Sequence, residues 1–125
     1  MFTTICMKDS RQLVQSDRKK ILIATEQSPC KKIIITHGTY TIPDTAKFLQ
    51  TNLQRKDQTI ILTGSMIPLT GFSPSDAPFN LGFSFAKLPE LSAGVYICMN
   101  GRIFTADETI KLLFEGRFAS VFGEK

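Results

Sequence analysis

Four short apolar runs mark the chain, and each predicts a β-strand. They are residues 2–7, Lys32–Thr36, Thr59–Thr63 and Gly94–Met99. The runs are continuous rather than alternating, with three isoleucines at 33–35 and an Ile-Ile-Leu run at 60–62. Continuous apolar strands are typical of a parallel sheet that is covered on both faces.

The segments between these runs predict three helices. The first covers residues 17–27, the second covers residues 43–55, and the third runs from residue 76 towards residue 87. Ser16 and Thr41 fit the N-cap positions of the first two helices. One face of the second helix is apolar at helical spacing and comprises Ile42, Ala46, Leu49 and Leu53. Strands that alternate with helices indicate an α/β fold with a mainly parallel sheet.

Length and composition narrow the class of protein. The chain has 125 residues, of which 42% are hydrophobic and 21% charged, as expected for a single globular domain. No run approaches the roughly 20 apolar residues of a membrane span, and the first ten residues do not resemble a secretory signal. The net charge of +4 is dispersed along the chain, which argues against nucleic-acid binding.

Cysteine and histidine usage argues against a metal site. The three cysteines form no CxxC pair, and the single histidine, His37, has no cysteine beside it. An odd cysteine count without a signal peptide favours a reducing compartment, so we expect a cytoplasmic protein.

Polar residues collect after the predicted strands. The carboxyl ends of parallel strands meet at one edge of a sheet, where ligands bind in such folds. Four loops are therefore expected to face one crevice. They cover residues 8–12, 36–41, 64–75 and 100–107.

The loop at residues 36–41 offers the clearest chemistry. Gly38 allows a tight turn, and the helix that follows presents backbone amides that attract an anion. Thr39 places a hydroxyl there, and Lys111 could act as its base if desolvated. The alternatives are a turn or cap threonine and a surface lysine on a short helix, and His37 fits a structural role; the pattern alone leaves these open.

Several motifs resemble the bacterial-type L-asparaginase family. Three of them are residues 35–41 (ITHGTYT), 62–68 (LTGSMIP) and 75–81 (SDAPFNL). Residues 7–10 (MKDS) and 96–104 (YICMNGRIF) add to the resemblance, which covers nearly the whole chain. It implies a three-layer α/β fold of the asparaginase N-terminal domain type, Rossmann- or flavodoxin-like, with helices on both sheet faces. Residues 1–125 would form one such domain, incomplete at its start.

The resemblance also implies an activity and the residues for it. It implies an amidohydrolase that converts asparagine to aspartate and ammonia through a threonine-bound acyl intermediate, without cofactor or metal. Thr39 and Lys111 match the catalytic threonine and lysine of the family pattern. Ser10 matches the serine that holds the substrate α-carboxylate, and Ser65 lies where the backbone meets the substrate amide. The expected ligand is a small amide or amino acid.

Two departures from the pattern lower the expected activity. Tyr40 stands where the family has an aspartate that holds the substrate ammonium group, and a neutral phenol cannot supply that charge. The family pattern opens with a strand and a Gly-Gly-Thr segment whose threonine is the primary nucleophile, and no such segment precedes Phe2. We therefore expect weak or no amidase activity. The alternatives are a non-catalytic binding module and a truncated gene product. A missing first strand would leave strand edges unpaired, which predicts a homodimer or higher oligomer.

Overall fold

A computed structural model of the chain describes residues 12–65, 74–112 and 117–120, with side chains described up to residue 108. The predicted strand at residues 2–7 lies outside this part. The described elements are α1 (Gln15–Gln27), β1 (Lys32–Thr36), α2 (Ile42–Asn52), β2 (Thr59–Thr63), α3 (Ala77–Lys87), β3 (Gly94–Met99), β4 (Arg102–Thr105), β5 (Thr109–Leu112) and β6 (Arg117–Ser120). A 3-10 turn at Leu88–Glu90 follows α3.

The sheet confirms the predicted α/β fold. Its strand order is β1-β2-β3-β4, with β1, β2 and β3 parallel and β4 antiparallel to β3. The bounds of β1, β2 and β3 are those the apolar runs predict. Every residue of β2 is buried, as expected of an inner strand covered on both faces. By contrast, β1 is only half-buried at its three isoleucines.

Helices cover both faces of this sheet, as expected from the continuous apolar strands. On one face α1 and α2 build the larger core, in which Ala46 and Leu49 of α2 pack with Ile60 and Leu62 of β2. On the other face Ile61 and Cys98 are buried with Leu88, and Phe83 of α3 packs against them. Successive side chains of a strand point to opposite faces, so one run of Ile60, Ile61 and Leu62 supplies both cores.

The helix ends differ from the predictions for local reasons. The first helix begins at Gln15, with Val14 rather than Ser16 at the N-cap position. There the Asp17 carboxylate accepts a hydrogen bond of 3.0 Å from the Val14 backbone N–H, and satisfies a donor that the helix leaves open. The second helix ends at Asn52 rather than at residue 55, because the backbone turns extended at Leu53.

The sequence pattern does not predict strand β4, and the presence of this strand shortens the loop predicted at residues 100–107. Asn100 (φ 55°) and Gly101 (φ 72°) form a tight turn, after which β4 runs back beside β3. Left-handed conformations at both positions are typical of the Asn-Gly turns of β-hairpins. Only residues 100–101 of the predicted 100–107 loop therefore lie at the carboxyl end of β3, since Thr105 pairs with Tyr96 near its start.

None of the described helices is long and apolar enough to cross a membrane.

Candidate active site

Two loops meet at the carboxyl ends of β1 and β2. The strands are in register, with Thr36 opposite Thr63, so both chains leave the sheet at the same level. The next backbone N–H, that of His37, donates to the Thr63 carbonyl at 2.9 Å. The 36–41 loop and the segment after β2 are therefore neighbours, as the parallel arrangement predicts.

Gly64 allows these two segments to come very close. A Cβ atom at this position would lie 2.2 Å from the His37 carbonyl oxygen and 3.2 Å from Thr39 Cγ2. The first distance is too short for any side chain, so glycine is required by the close approach of two backbones. The contact also brings Thr39 beside the segment that carries Ser65.

A hydrogen-bonded network joins the 36–41 loop to α2 and α1. His37 Nδ1 donates to the Gly38 carbonyl at 2.6 Å, since a carbonyl can only accept. In the neutral ring Nε2 then accepts from the hydroxyl of Thr45, 2.8 Å away. The Thr45 hydroxyl, which is fully buried on α2, also accepts from Arg18 Nε at 3.2 Å. Because both ring nitrogens are engaged, His37 has the structural role that its position indicates.

Asn80 on α3 connects three parts of the same edge and is the residue that sequence reasoning missed. Its Nδ2 donates to the Gly64 carbonyl at 2.8 Å and to Asp76 Oδ2 at 3.0 Å. Its Oδ1 accepts from the Asn100 backbone N–H at 3.1 Å. Asn80 lies within the 75–81 motif that carries the family resemblance, and that motif is the signal that could have found it.

The structure brings together part of the predicted site. Thr39 and Ser65 are half-buried in the two neighbouring segments, and Tyr40 beside Thr39 is 48% exposed. Ser10 lies outside the described residues. Lys111 lies on β5, where its backbone pairs with Phe118 of β6, and its side chain is not among those described.

The Cys98 thiol and the Asp57 carboxyl are among the described groups that have a shifted pKa. Burial raises the pKa of the Cys98 thiol, and a hydrogen bond with Ser84 offsets part of that rise. Cys98 therefore packs as a neutral side chain beneath α3. On the far side of the molecule a hydrogen bond from Arg55 lowers the pKa of Asp57.

One concavity of the described part lies away from the 36–41 loop and Gly64. It is an open groove of about 350 Å³ on the outer side of α1 and α2, lined in part by Arg18, Asp44 and Lys47. None of the predicted site residues lines it. Within the described ranges no group of three or more His, Cys, Asp or Glu residues could hold a metal ion.

The comparisons with known proteins agree with this geometry. A family model described as "Asparaginase, N-terminal" matches residues 2–119. The chain belongs to the asparaginase family. The match includes the crevice segments and the strands that carry them, which confirms the family that the motifs indicate.

Relatives within the asparaginase family are similar to part of the chain. The chain is 40% identical over 82 residues to a glutaminase-asparaginase of Acinetobacter glutaminasificans, a match that covers 63% of this chain and 24% of that protein. It is 38% identical over 77 residues to L-asparaginase 2 of Bacillus subtilis, with 59% and 20% covered. The chain thus spans a quarter or less of these relatives.

A solved structure in the asparaginase family confirms the fold. The thermostable L-asparaginase from Thermococcus kodakarensis superimposes with a TM-score of 0.77 at 28% identity, covering 90% of this chain and 35% of that one. The shared part is the three-layer unit with helices on both faces of the sheet.

Proposed function

We propose that the crevice binds an asparagine-type amino acid and that the protein hydrolyses its side-chain amide slowly. The observation that carries this proposal is the contact between the 36–41 loop and Gly64, which puts the Thr39 side chain beside the Ser65 segment. Family membership supplies the substrate class: two relatives are named glutaminase-asparaginase and L-asparaginase 2.

The proposed reaction assigns one role to each residue. The Thr39 hydroxyl oxygen bonds to the amide carbon while the Lys111 amine takes the hydroxyl proton. The carbon–nitrogen bond then breaks, and ammonia leaves with that proton. Water cleaves the resulting ester, which releases aspartate and restores the threonine. Backbone donors near Ser65 stabilise the negative charge on the carbonyl oxygen, and no cofactor or metal is needed.

A second candidate function is binding without turnover. Tyr40 favours it, because the residue after the catalytic threonine carries no charge to hold an ammonium group. A non-catalytic module of this kind would keep the 36–41 loop, whose backbone amides attract an anion. It would no longer align the side-chain amide of asparagine for attack. Aspartate would then bind at least as well as asparagine.

Ammonia release from L-asparagine separates the two functions. We expect slow release that falls about a hundredfold or more in Thr39→Ala and in Lys111→Ala. Thr51→Ala, an exposed change on α2, is the matched control and should leave the rate unaltered. Aspartate binding without ammonia release would favour the binding module. Neither binding nor release would contradict both functions.

We also infer that the protein is cytoplasmic and forms a homodimer through the edge of β1 that no described strand covers. Within the described ranges β1 pairs only with β2, and its isoleucines are half-buried. An exposed apolar edge strand is a template for pairing with another chain. The exposed free thiol of Cys30 suits a reducing compartment. Light scattering that shows a stable monomer at all concentrations would contradict the dimer.

A further inference from the structure

We propose that Asn80 is a positioning residue of this site, one that orients the Gly64–Ser65 peptide so that its N–H faces the bound ligand. The inference rests on the proposed function for the identity of the ligand. It concerns a residue on α3, which contributes none of the predicted site residues. The role follows from the hydrogen-bond partners of the Asn80 side-chain amide and from its burial.

Asn80 is 1% exposed, and both the nitrogen and the oxygen of its side-chain amide are hydrogen-bonded. The amino group donates to Gly64 and Asp76, and the carbonyl oxygen accepts from Asn100. These partners follow β2, precede α3 and follow β3. One planar group therefore sets the relative position of three segments at the carboxyl edge of the sheet.

The orientation of the Ser65 N–H follows from peptide geometry. In a trans peptide the C=O of one residue and the N–H of the next point in opposite directions. The Gly64 C=O points at Asn80 on α3, so the Ser65 N–H points away from α3. That is the side on which the 36–41 loop leads into α2, because α2 and α3 cover opposite faces of the sheet. The donor is thus directed to the side that holds Thr39.

Packing alone does not account for an asparagine here. An apolar side chain of similar size would fill the space, but it would leave the Gly64 carbonyl and the Asn100 N–H without this partner. Ser84, one turn further along the same face, is also fully buried, but its hydroxyl donates to the Asn80 carbonyl at 2.8 Å and bonds with the Cys98 thiol of β3, and so reaches neither site loop. What distinguishes Asn80 is that its bonds run to the site loops.

The test compares Asn80→Asp and Asn80→Ala with Ser84→Ala as the matched control. Asn80→Asp keeps an acceptor for the Asn100 N–H, but it loses the donor to Gly64 and Asp76 and places a second carboxylate beside Asp76. Asn80→Ala loses both the donor and the acceptor without adding a charge. In the ligand-free protein we expect the Ser65 amide resonance to shift in both Asn80 variants. Exchange of the Asn100 amide should accelerate about tenfold only in Asn80→Ala. Ser84→Ala should leave both signals in place.

Aspartate binding by calorimetry supplies the functional readout. We expect the Kd to rise about tenfold in Asn80→Ala, which adds no charge near the anionic ligand, and to remain unchanged in Ser84→Ala even if both variants have the same melting temperature. An unshifted Ser65 resonance with an unchanged Kd in Asn80→Ala would overturn the proposal. If the wild-type protein binds no aspartate, the proposed function fails, while the ligand-free resonances still decide the positioning role. Should Asn80→Asp not fold because it buries a carboxylate beside Asp76, Asn80→Ala decides the outcome alone.

Discussion

Replacing Gly64 by alanine tests the contact on which the site depends. The new Cβ would lie 2.2 Å from the His37 carbonyl oxygen, and separations under 3.0 Å are essentially never seen for real Cβ atoms. One backbone must therefore move by at least about 0.8 Å. The closest atom belongs to the backbone of the neighbouring loop, so it cannot move aside as the end of a flexible side chain could.

The cost of Gly64→Ala can be bounded from these distances. Overpacking at a tight contact typically costs about 1–3 kcal/mol of stability, and displacement of the loop would also weaken the 2.9 Å bond from the His37 N–H to Thr63. We expect a loss in this range, together with a weaker affinity for aspartate because Thr39 moves with the loop.

Gly82→Ala is the matched control for the same change. Nothing lies within 4 Å of a Cβ built at Gly82 on α3, so the substitution should stabilise the helix by about 0.5–1 kcal/mol. Urea denaturation followed by circular dichroism measures both variants. A Gly64→Ala protein that is as stable as wild type and binds aspartate equally well would refute the close contact of the two loops.

Two further predictions concern stability. Thr45→Val leaves Nε2 of His37 without its buried donor and should cost about 1–3 kcal/mol in urea denaturation, whereas Thr51→Val on the exposed side of α2 should cost little. Because a hydrogen bond from Arg55 lowers the pKa of Asp57 in the folded state, the pair adds stability above the ordinary aspartate pKa near ~4, and the gain is lost as pH falls through the lowered value. Asp57→Asn should therefore flatten the loss of stability on acidification below pH ~4; an unaltered pH profile would contradict the pairing.

The central strands could be predicted from sequence because the apolar pattern that indicates each one lies within the strand itself. The β1, β2 and β3 runs are continuous and rich in isoleucine, and inner parallel strands need apolar side chains on both faces. The loops at their carboxyl ends follow from the topology. For the same reason, the strand pattern alone predicts that Thr39 and Ser65 lie at one edge of the sheet.

The remaining features depend on contacts between distant residues. Strand β4 begins with a charged residue, Arg102, and is recognisable only through the Asn-Gly turn that precedes it. The start of α1 depends on the Asp17 side chain, which reaches back to the N-cap backbone. The hydrogen bonds of Asn80 join segments 16 and 20 residues away, and no local pattern reports such partners.

The most direct test of the central claim is to map L-aspartate binding on the ¹⁵N-labelled protein by amide chemical shifts. We predict that the largest shifts fall at Thr39, Tyr40 and Ser65, at the carboxyl ends of β1 and β2. Shifts confined to Arg18 and Lys47, which line the groove on the outer side of α1 and α2, would contradict a ligand site in the crevice.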